Sequence, residues 1–432
     1  MSLRRLSGPW PDNGNFEMSA APYYRMCREV PAHVPPELIY EYDVYRPGPT
    51  GSDFFEELFK LKSRAPPVFW TPYNGGHWYT TDSSLTDQVL RDNIRFSSRT
   101  LLVPPENNPP LGRGFSPIHL DPPEHGIYRK LMQAALSRKT VVDMMPGVRA
   151  VAIALIKKLK PQGGCDFIAD FAFQLPTTVF LKLVDLPESY HAGVRSRVSG
   201  IVDAGSDKGR LFAEIADHLE PFVRERVRNP GGDLISWLSH QEVDGEPITI
   251  ERLHSMTTLL LIAGLDTVAN TFGFIARFLA DHPDHRKWIR DNPRRLDNAR
   301  EEMLRRFPVV IAGTARLCVE PTRVGPAPVA ANDQIIAVPA MMNFDEATFP
   351  DPLKVDFERR LPTTSTFGQG PHKCVGASIA RVQLSIFIEE WLARIPDFQV
   401  SRKRPPMFEA GVTASYDRLM LEWPNAIAAA TH

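Results

Sequence analysis

FGQGPHKCVG, residues 367–376, decides how this chain is read. Three glycines, a proline, the basic pair His372-Lys373 and the single cysteine Cys374 lead straight into GASIARVQLSIFIEEWLARI, whose spacing predicts a helix. A thiolate is stabilised at a helix start, where free N–H groups and the positive end of the dipole converge. Gly368, Gly370 and Gly376 let backbone approach something flat and wide. Phe367 supplies an aromatic wall, and His372 and Lys373 place donors and charge beside the sulfur. For a lone cysteine the ordinary reading is an inert buried thiol. A nucleophile needs an oriented base, which His372, two positions away, does not make. An iron-bound thiolate in a porphyrin uses all three features at once: N–H groups aimed at sulfur, room for the macrocycle, and cations for its carboxylates.

The bulk of the chain agrees with an ordinary globular enzyme. It has 432 residues, 43% hydrophobic and 23% charged, with a net charge of -1, so no global field points to nucleic acid or an acidic membrane. The four cysteines, Cys27, Cys165, Cys318 and Cys374, form no CxxC pair and no zinc spacing, which fits a reducing cytoplasm better than a disulfide framework. The opening MSLRRLSGPW has arginines without an apolar run behind them, so no signal peptide is expected. No apolar run reaches the ~18 residues of a spanning helix. A cytoplasmic protein is expected.

Residues 1–32 read as an irregular, proline-punctuated arm. Residues 67–100 alternate apolar and polar around a turn near Gly75-Gly76, as a hairpin does. From about 120 to 300 the pattern is mainly helical, 305–365 returns to short strands, and 396–423 reads as terminal strands. The longest helix starts after the N-cap Thr249 and stops at His282-Pro283. Its middle, LLLIAGLDTVAN, is apolar nearly all round and is expected to be buried. Within it, Gly264, Asp266, Thr267 and Asn270 break the rules of a core helix. In the plain structural reading, Thr267 bonds the carbonyl one turn back and Asp266 pairs with an arginine. A cluster of such violations also marks functional sites.

FGQGPHKCVG resembles the haem-binding loop of the cytochrome P-450 superfamily, F-x-x-G-x-x-x-C-x-G, at every defined position. AGLDT, 263–267, resembles the family's oxygen-activation segment. Glu302-Met303-Leu304-Arg305 resembles its E-x-x-R helix, and VDFERR offers Arg359 as the third member of that charge cluster. The likeness is to the bacterial camphor-hydroxylating branch. It runs from HVPPELIYEYDVYRPG at 33 to LMLEW at 423 through NGGHW (74–78), RFSS (95–98), DPPEH (121–125), GLDTVAN (264–270), EEMLRRF (301–307) and RIPDF (394–398).

The resemblance implies a mainly α fold with small β-sheets: one triangular catalytic domain over 33–432, its long central helix crossing over the haem. It implies haem b as cofactor, dioxygen as co-substrate, and Cys374 as axial ligand to the iron. Phe367, Gly368, Gly376, Ala263 and Gly264 would lie against the macrocycle. His125 and Arg129 in HGIYR, Arg316 in TARLC, and His372 would hold the propionates. Asp266 would relay protons and Thr267 would hold the activated oxygen. Glu302, Arg305 and Arg359 would be structural.

The substrate walls implied are Leu102, Leu259, Ile262, Val310 and Thr413, mostly aliphatic, as a small apolar substrate requires. The camphor enzymes carry a ketone-binding tyrosine before DPPE. Here RTLLVPPENNPPLGRGFSPIHLDPPEH has none, with Gly112 or Arg113 near its place, and VVIAGTAR carries a short insertion. A terpenoid or norisoprenoid ketone of the ionone type is expected instead of camphor. Electrons would come from a [2Fe-2S] ferredoxin and its NAD(P)H-dependent reductase, because the chain has no flavin or nucleotide fingerprint. Arg129, Lys130, Lys373 and Arg381 would steer that acidic partner to a monomeric enzyme. A haem-thiolate sensor without turnover and a peroxide-using peroxygenase are the alternatives. The intact acid-alcohol pair argues against both.

Overall fold

The helix that follows Thr249 is the axis of the molecule. The Thr249 hydroxyl accepts the Arg252 N–H as N-cap, and the helix runs Ile250–Asp281 to His282, beyond which Pro283 opens the next helix. Its 32 residues span roughly 48 Å. It packs against helices Lys208–Arg228, Gln174–Leu183, Leu234–Ser239, Pro283–Asp291 and Ala377–Arg394, and against the π-helical turn Ile168–Ala172. By length and composition this helix could cross a membrane, but 61% of its most apolar stretch is buried against the rest of the chain. It is a core helix.

The computed structural model describes residues 3–5, 27, 29–47, 53–105, 108, 115–202, 208–360 and 364–424. Gly112 and Arg113 lie outside the described residues, as does most of the arm before residue 33. At the arm's ends, Leu3–Arg5 pairs antiparallel with Glu29–Pro31, so these two stretches are strands where the sequence reads as irregular.

The fold is helical with small sheets, as expected. Its largest sheet has five strands in the order Val68–Thr71, His77–Thr80, Gln334–Ala337, Ala315–Cys318, Phe96–Ser97. Only the Gln334–Ala337/His77–Thr80 pair is parallel, in the register Ile335 to Trp78. The hairpin turns on Asn74, Gly75 and Gly76, all at positive φ; a Cβ on Gly76 would come within 2.6 Å of the Trp70 ring. The apolar-polar alternation read there does not divide core from solvent: all four residues of each hairpin strand are buried. Both faces of the sheet are covered, one by the main core through Phe69 and Tyr79, the other by a second cluster with Val68, Trp70 and Trp78.

The main core is continuous from Val44 to Trp423. Beneath the central helix, Phe171, Phe272, Phe387 and Trp391 form an aromatic knot with centroids 5.0–6.2 Å apart. Each such ring contributes about 1.5–3 kcal/mol by burial. Through Phe387 and Trp391 the knot fixes helix Ala377–Arg394, and so the loop that precedes it, to the central helix. Four short strands between Gln399 and Glu422 close the chain.

Candidate functional site

The cysteine loop is shaped by its own backbone. The Gly368 N–H bonds to the Ser365 carbonyl at 2.8 Å, Lys373 N–H to Gly370 at 3.2 Å, and Cys374 N–H to Phe367 at 2.8 Å. Gly368 and Gly370 both have positive φ. At Gly370 the need for glycine is steric as well, since a Cβ would stand 2.3 Å from the Leu90 carbonyl oxygen. Its role is to pass another stretch of chain, whereas a Cβ on Gly368 or Gly376 would meet no atom closer than 3.8 Å. Helix Ala377–Arg394 begins just after Gly376, whose N–H bonds to the Cys374 sulfur.

Cys374 lies deep in the mass of the protein, yet it is exposed. The sulfur therefore faces space that the chain leaves unfilled. Surrounding protein pushes the thiol pKa up; the Gly376 N–H and the charges of Arg129 and Arg381 pull against it. Arg381 sits over the Phe367 ring at 4.4 Å and forks onto Glu301 at 2.8 and 2.9 Å. Arg381, expected to help steer an acidic partner, is thus itself paired with a carboxylate. Arg129 is likewise committed: its guanidinium is half-buried and donates to the Lys373 carbonyl.

The central helix has a matching gap. Ala263 and Gly264 are exposed although Leu261, Leu265 and Val268 beside them are buried, and a Cβ built on Gly264 meets nothing within 4 Å. Its middle is therefore not buried all round, as composition implied; one stripe faces open space. Leu259, Ile262, Ala263, Asp266 and Thr267 fall on that stripe by helical spacing. The Thr267 hydroxyl donates to the Ala263 carbonyl at 2.6 Å, as the structural reading anticipated. Asp266 pairs with no arginine among the described residues. Its Oδ2 instead accepts the Thr413 hydroxyl at 2.6 Å, and Asn270 Nδ2 donates to that same hydroxyl oxygen at 3.0 Å. Thr413, read from sequence as a pocket wall, is thus a buried hydrogen-bonding partner. Val310 pairs with it across an isolated β-bridge. Leu102, Leu259, Ile262 and Val310 are each half-buried.

A set of basic side chains gathers from three elements. His125 and Arg129 share one face of helix Glu124–Ala135, Arg316 sits on strand Ala315–Cys318, and His372 comes from the cysteine loop. The His125 and His372 rings are 4.0 Å apart. The sequence reading missed His119, which joins them; its only signal was a second histidine in PIHLDPPEH. The Nε2 atoms of His119, His125 and His372 are buried with no hydrogen-bond partner among the described residues. The Arg316 side chain, 4% exposed, makes one hydrogen bond among the described residues, to the Ala315 carbonyl at 2.8 Å.

Burial pushes Arg316 down to about 10. Burial, then the charges of Arg316, His125, Arg129 and His119, push His372 down to about 2. His119 is driven down to about 4 by burial and Arg316. Asp121, whose charge acts on Arg316 and His125, is already taken by the Ser97 hydroxyl at 2.5 Å, the Ser98 N–H at 2.8 Å and Arg99 at 3.5 Å. Two guanidinium groups, one buried and one half-buried, beside three histidine Nε2 atoms that find no partner among the described residues make a site for anions supplied from outside the chain.

Glu302 is the opposite case. Arg305 forks onto it at 2.8 and 2.9 Å, Arg359 reaches it at 3.2 Å and the Asp356 N–H at 3.0 Å. Arg305 spends its remaining donors on the carbonyls of Asn343, Pro352 and Lys354. Glu302 and Arg305 are both fully buried.

The family description "Cytochrome P-450" matches residues 207–415. Probable cytochrome P-450 127A1 of Sinorhizobium fredii is 30% identical over 91% of this chain and 97% of its own length. Linalool 8-monooxygenase of Pseudomonas putida is 27% identical over 80% of this chain and 90% of that protein. Among solved structures, that of CYP101J2 superposes with a TM-score of 0.83 at 33% identity, covering 91% of this chain and 99% of the other. CYP101C1 does so with 0.83 at 32%, covering 91% and 100%.

Proposed function

Since this chain belongs to the cytochrome P-450 family, on its bacterial, camphor-monooxygenase-like branch, and is a haem-thiolate monooxygenase using dioxygen, we propose that it hydroxylates a compact terpenoid ketone of the ionone type with electrons from a [2Fe-2S] ferredoxin and its NAD(P)H-dependent reductase. The observation that supports this reading is the exposed, deeply set Cys374 sulfur together with three buried histidine Nε2 atoms that find no hydrogen-bond partner among the described residues.

The residues present fit haem b. Cys374 would bind the iron; Phe367, Gly368, Gly376, Ala263 and Gly264 leave the flat space; His125, Arg129, Arg316, His372 and His119 would take the propionates. When bound, haem supplies the activation of dioxygen and its insertion into a C–H bond.

The chain's own residues do the rest. The Gly376 N–H bonds to the Cys374 sulfur and tempers its basicity. Asp266, half-buried at the exposed stripe, is the acid through which protons pass inward. Thr267 presents a hydroxyl that can leave the Ala263 carbonyl to hold and protonate oxygen. Glu302, Arg305 and Arg359 fix the sequence that leads into the cysteine loop and take no part in the chemistry.

Leu102, Leu259, Ile262 and Val310 favour an apolar substrate, and the absence of tyrosine from 99–125 removes the phenol that would select camphor's ketone. A relative named linalool 8-monooxygenase supports a terpenoid. Lys130 and Lys373 carry the remaining steering charge for the ferredoxin. The enzyme is read as a cytoplasmic monomer, free of membrane and nucleic acid, with one catalytic domain over 33–432.

Titration with β-ionone, camphor and other terpenoids tests the substrate class. A shift of the Soret band toward high spin with β-ionone is expected, and failure of every terpenoid to shift it overturns the assignment. Thr267→Ala tests the oxygen side: it should still oxidise NADH but divert most electrons to peroxide, and an unchanged product yield per NADH would remove Thr267 from its role.

A further inference from the structure

We propose that Thr413 is a positioning residue for Asp266. Its hydroxyl holds the carboxylate in one orientation and is itself held by Asn270. This rests on the reading that Asp266 passes protons, and it concerns a residue 147 positions away that no motif includes.

The directions of the hydrogen bonds follow from what each group can do. The Asn270 amide nitrogen can only donate, so at 3.0 Å it must use a lone pair of the Thr413 oxygen. A threonine hydroxyl has a single proton. With one lone pair engaged, that proton is directed at the Asp266 oxygen, 2.6 Å away. The chain therefore runs one way, from Asn270 through Thr413 to Asp266, and its last member is a charged acceptor, which makes the final bond the strong one. Asp266 and Asn270 are one helical turn apart, so Thr413 spans that turn and resists rotation of the carboxylate about its side-chain bonds.

The support behind Thr413 is rigid. Its segment is stitched to the one after the E-x-x-R helix: Ile311 and Ala312 N–H groups both bond the Val412 carbonyl, at 3.1 and 3.2 Å, and the Ala414 N–H bonds Val309 at 2.8 Å. Thr413 is 8% exposed and Asn270 2%, so water does not readily replace either partner. No lysine or arginine contacts Asp266 among the described residues, and the hydroxyl is the fixed donor found for it. Val310, bridged to Thr413, is half-buried on the expected substrate side. The same short segment thus meets both the pocket wall and the proton-passing acid.

Thr413→Val keeps shape and removes the hydroxyl; Thr413→Ser keeps the hydroxyl. In the haem-loaded enzyme with a [2Fe-2S] ferredoxin, its reductase, NADH and β-ionone, Thr413→Val should lower product per NADH at least about three-fold, and Thr413→Ser should restore most of it. The dissociation constant for β-ionone should stay within about two-fold. Asn270→Ala, which breaks the chain at its other end, should give a smaller loss in the same direction.

A second readout needs no turnover. In a double-mutant cycle of Thr413→Val with Asp266→Ala, followed by urea unfolding of the loaded protein, the paired effects should fall short of additivity by about ten-fold in the unfolding constant. Additive effects in the cycle overturn the proposal, as does full product yield in Thr413→Val. A yield lost equally in Val and Ser variants together with weakened β-ionone binding also overturns it, because shape and not the hydroxyl then matters. If the unaltered protein oxidises nothing, the functional reading fails while the cycle still decides whether Thr413 holds Asp266.

Discussion

Two clusters of buried charge sit in this molecule, built from similar groups and solved in opposite ways. Around Glu302 every charge has its partner within the chain: two guanidinium groups, a backbone N–H and a ring of carbonyls. Arg316 gathers with Arg129 and three histidines, and Asp121, the carboxylate acting on Arg316 among the described residues, is engaged elsewhere. The first cluster is closed and can only stabilise. The second remains open: the Nε2 atoms of its three histidines find no partner among the described residues, as a site for an anionic guest would leave them. The comparison teaches that the identity of buried charged residues says little about their role until their partners are counted.

The largest effect should come from opening the closed cluster. Glu302→Ala strands Arg305, which is fully buried, and should cost about 3–5 kcal/mol in urea unfolding or prevent haem-loaded protein from accumulating. A loss under about 1 kcal/mol would make the cluster less than the keystone it resembles. The open cluster should answer in the reverse sense. Arg316→Leu removes an unpaired buried cation, so the haem-free protein should be no less stable, while haem affinity falls about 10–100-fold, measured by haem transfer to an acceptor protein. Equal losses in both quantities would place Arg316 with the structural set.

The smallest effect concerns His119. Its folded pKa is held at about 4 against an ordinary 6.5, so the unfolded chain binds the proton more readily. The stability it contributes is therefore present above about 6.5 and is lost as pH falls from there through about 4, amounting to about 1–3 kcal/mol. In haem-free protein His119→Gln should flatten the fall in unfolding midpoint over that window, and haem loading, by supplying carboxylates, should flatten it too. Unaltered slopes in both would detach His119 from the open cluster.

Much of this was legible before the structure. The N-cap Thr249, the stop at His282-Pro283, the hairpin at Gly75-Gly76 and the helix after Gly376 are local, set by capping, proline and glycine within a few residues. The closed cluster was legible as well, but through the likeness of Glu302-Met303-Leu304-Arg305 and VDFERR to the family's E-x-x-R cluster. What stayed hidden is long-range. That Ala263 and Gly264 face open space follows from the family resemblance, and cannot be read from the periodicity of a stretch that is apolar on every side. Arg381 looks like any surface charge until Glu301 is seen beneath it, and His119 gains meaning only from Arg316 on a distant strand. The plain structural alternative gave Asp266 an arginine; it bonds Thr413 instead, across a contact that no periodicity encodes.

Everything turns on whether the Cys374 sulfur binds the iron, and the absorption spectrum of the reduced, carbon monoxide-bound protein tests that most directly. The unaltered enzyme should show its Soret band at the long-wavelength position of a thiolate-ligated haem, and Cys374→His should move it to the short-wavelength position of a nitrogen-ligated one. A short-wavelength band in the unaltered, gently prepared protein, or a long-wavelength band that survives the substitution, would contradict the account.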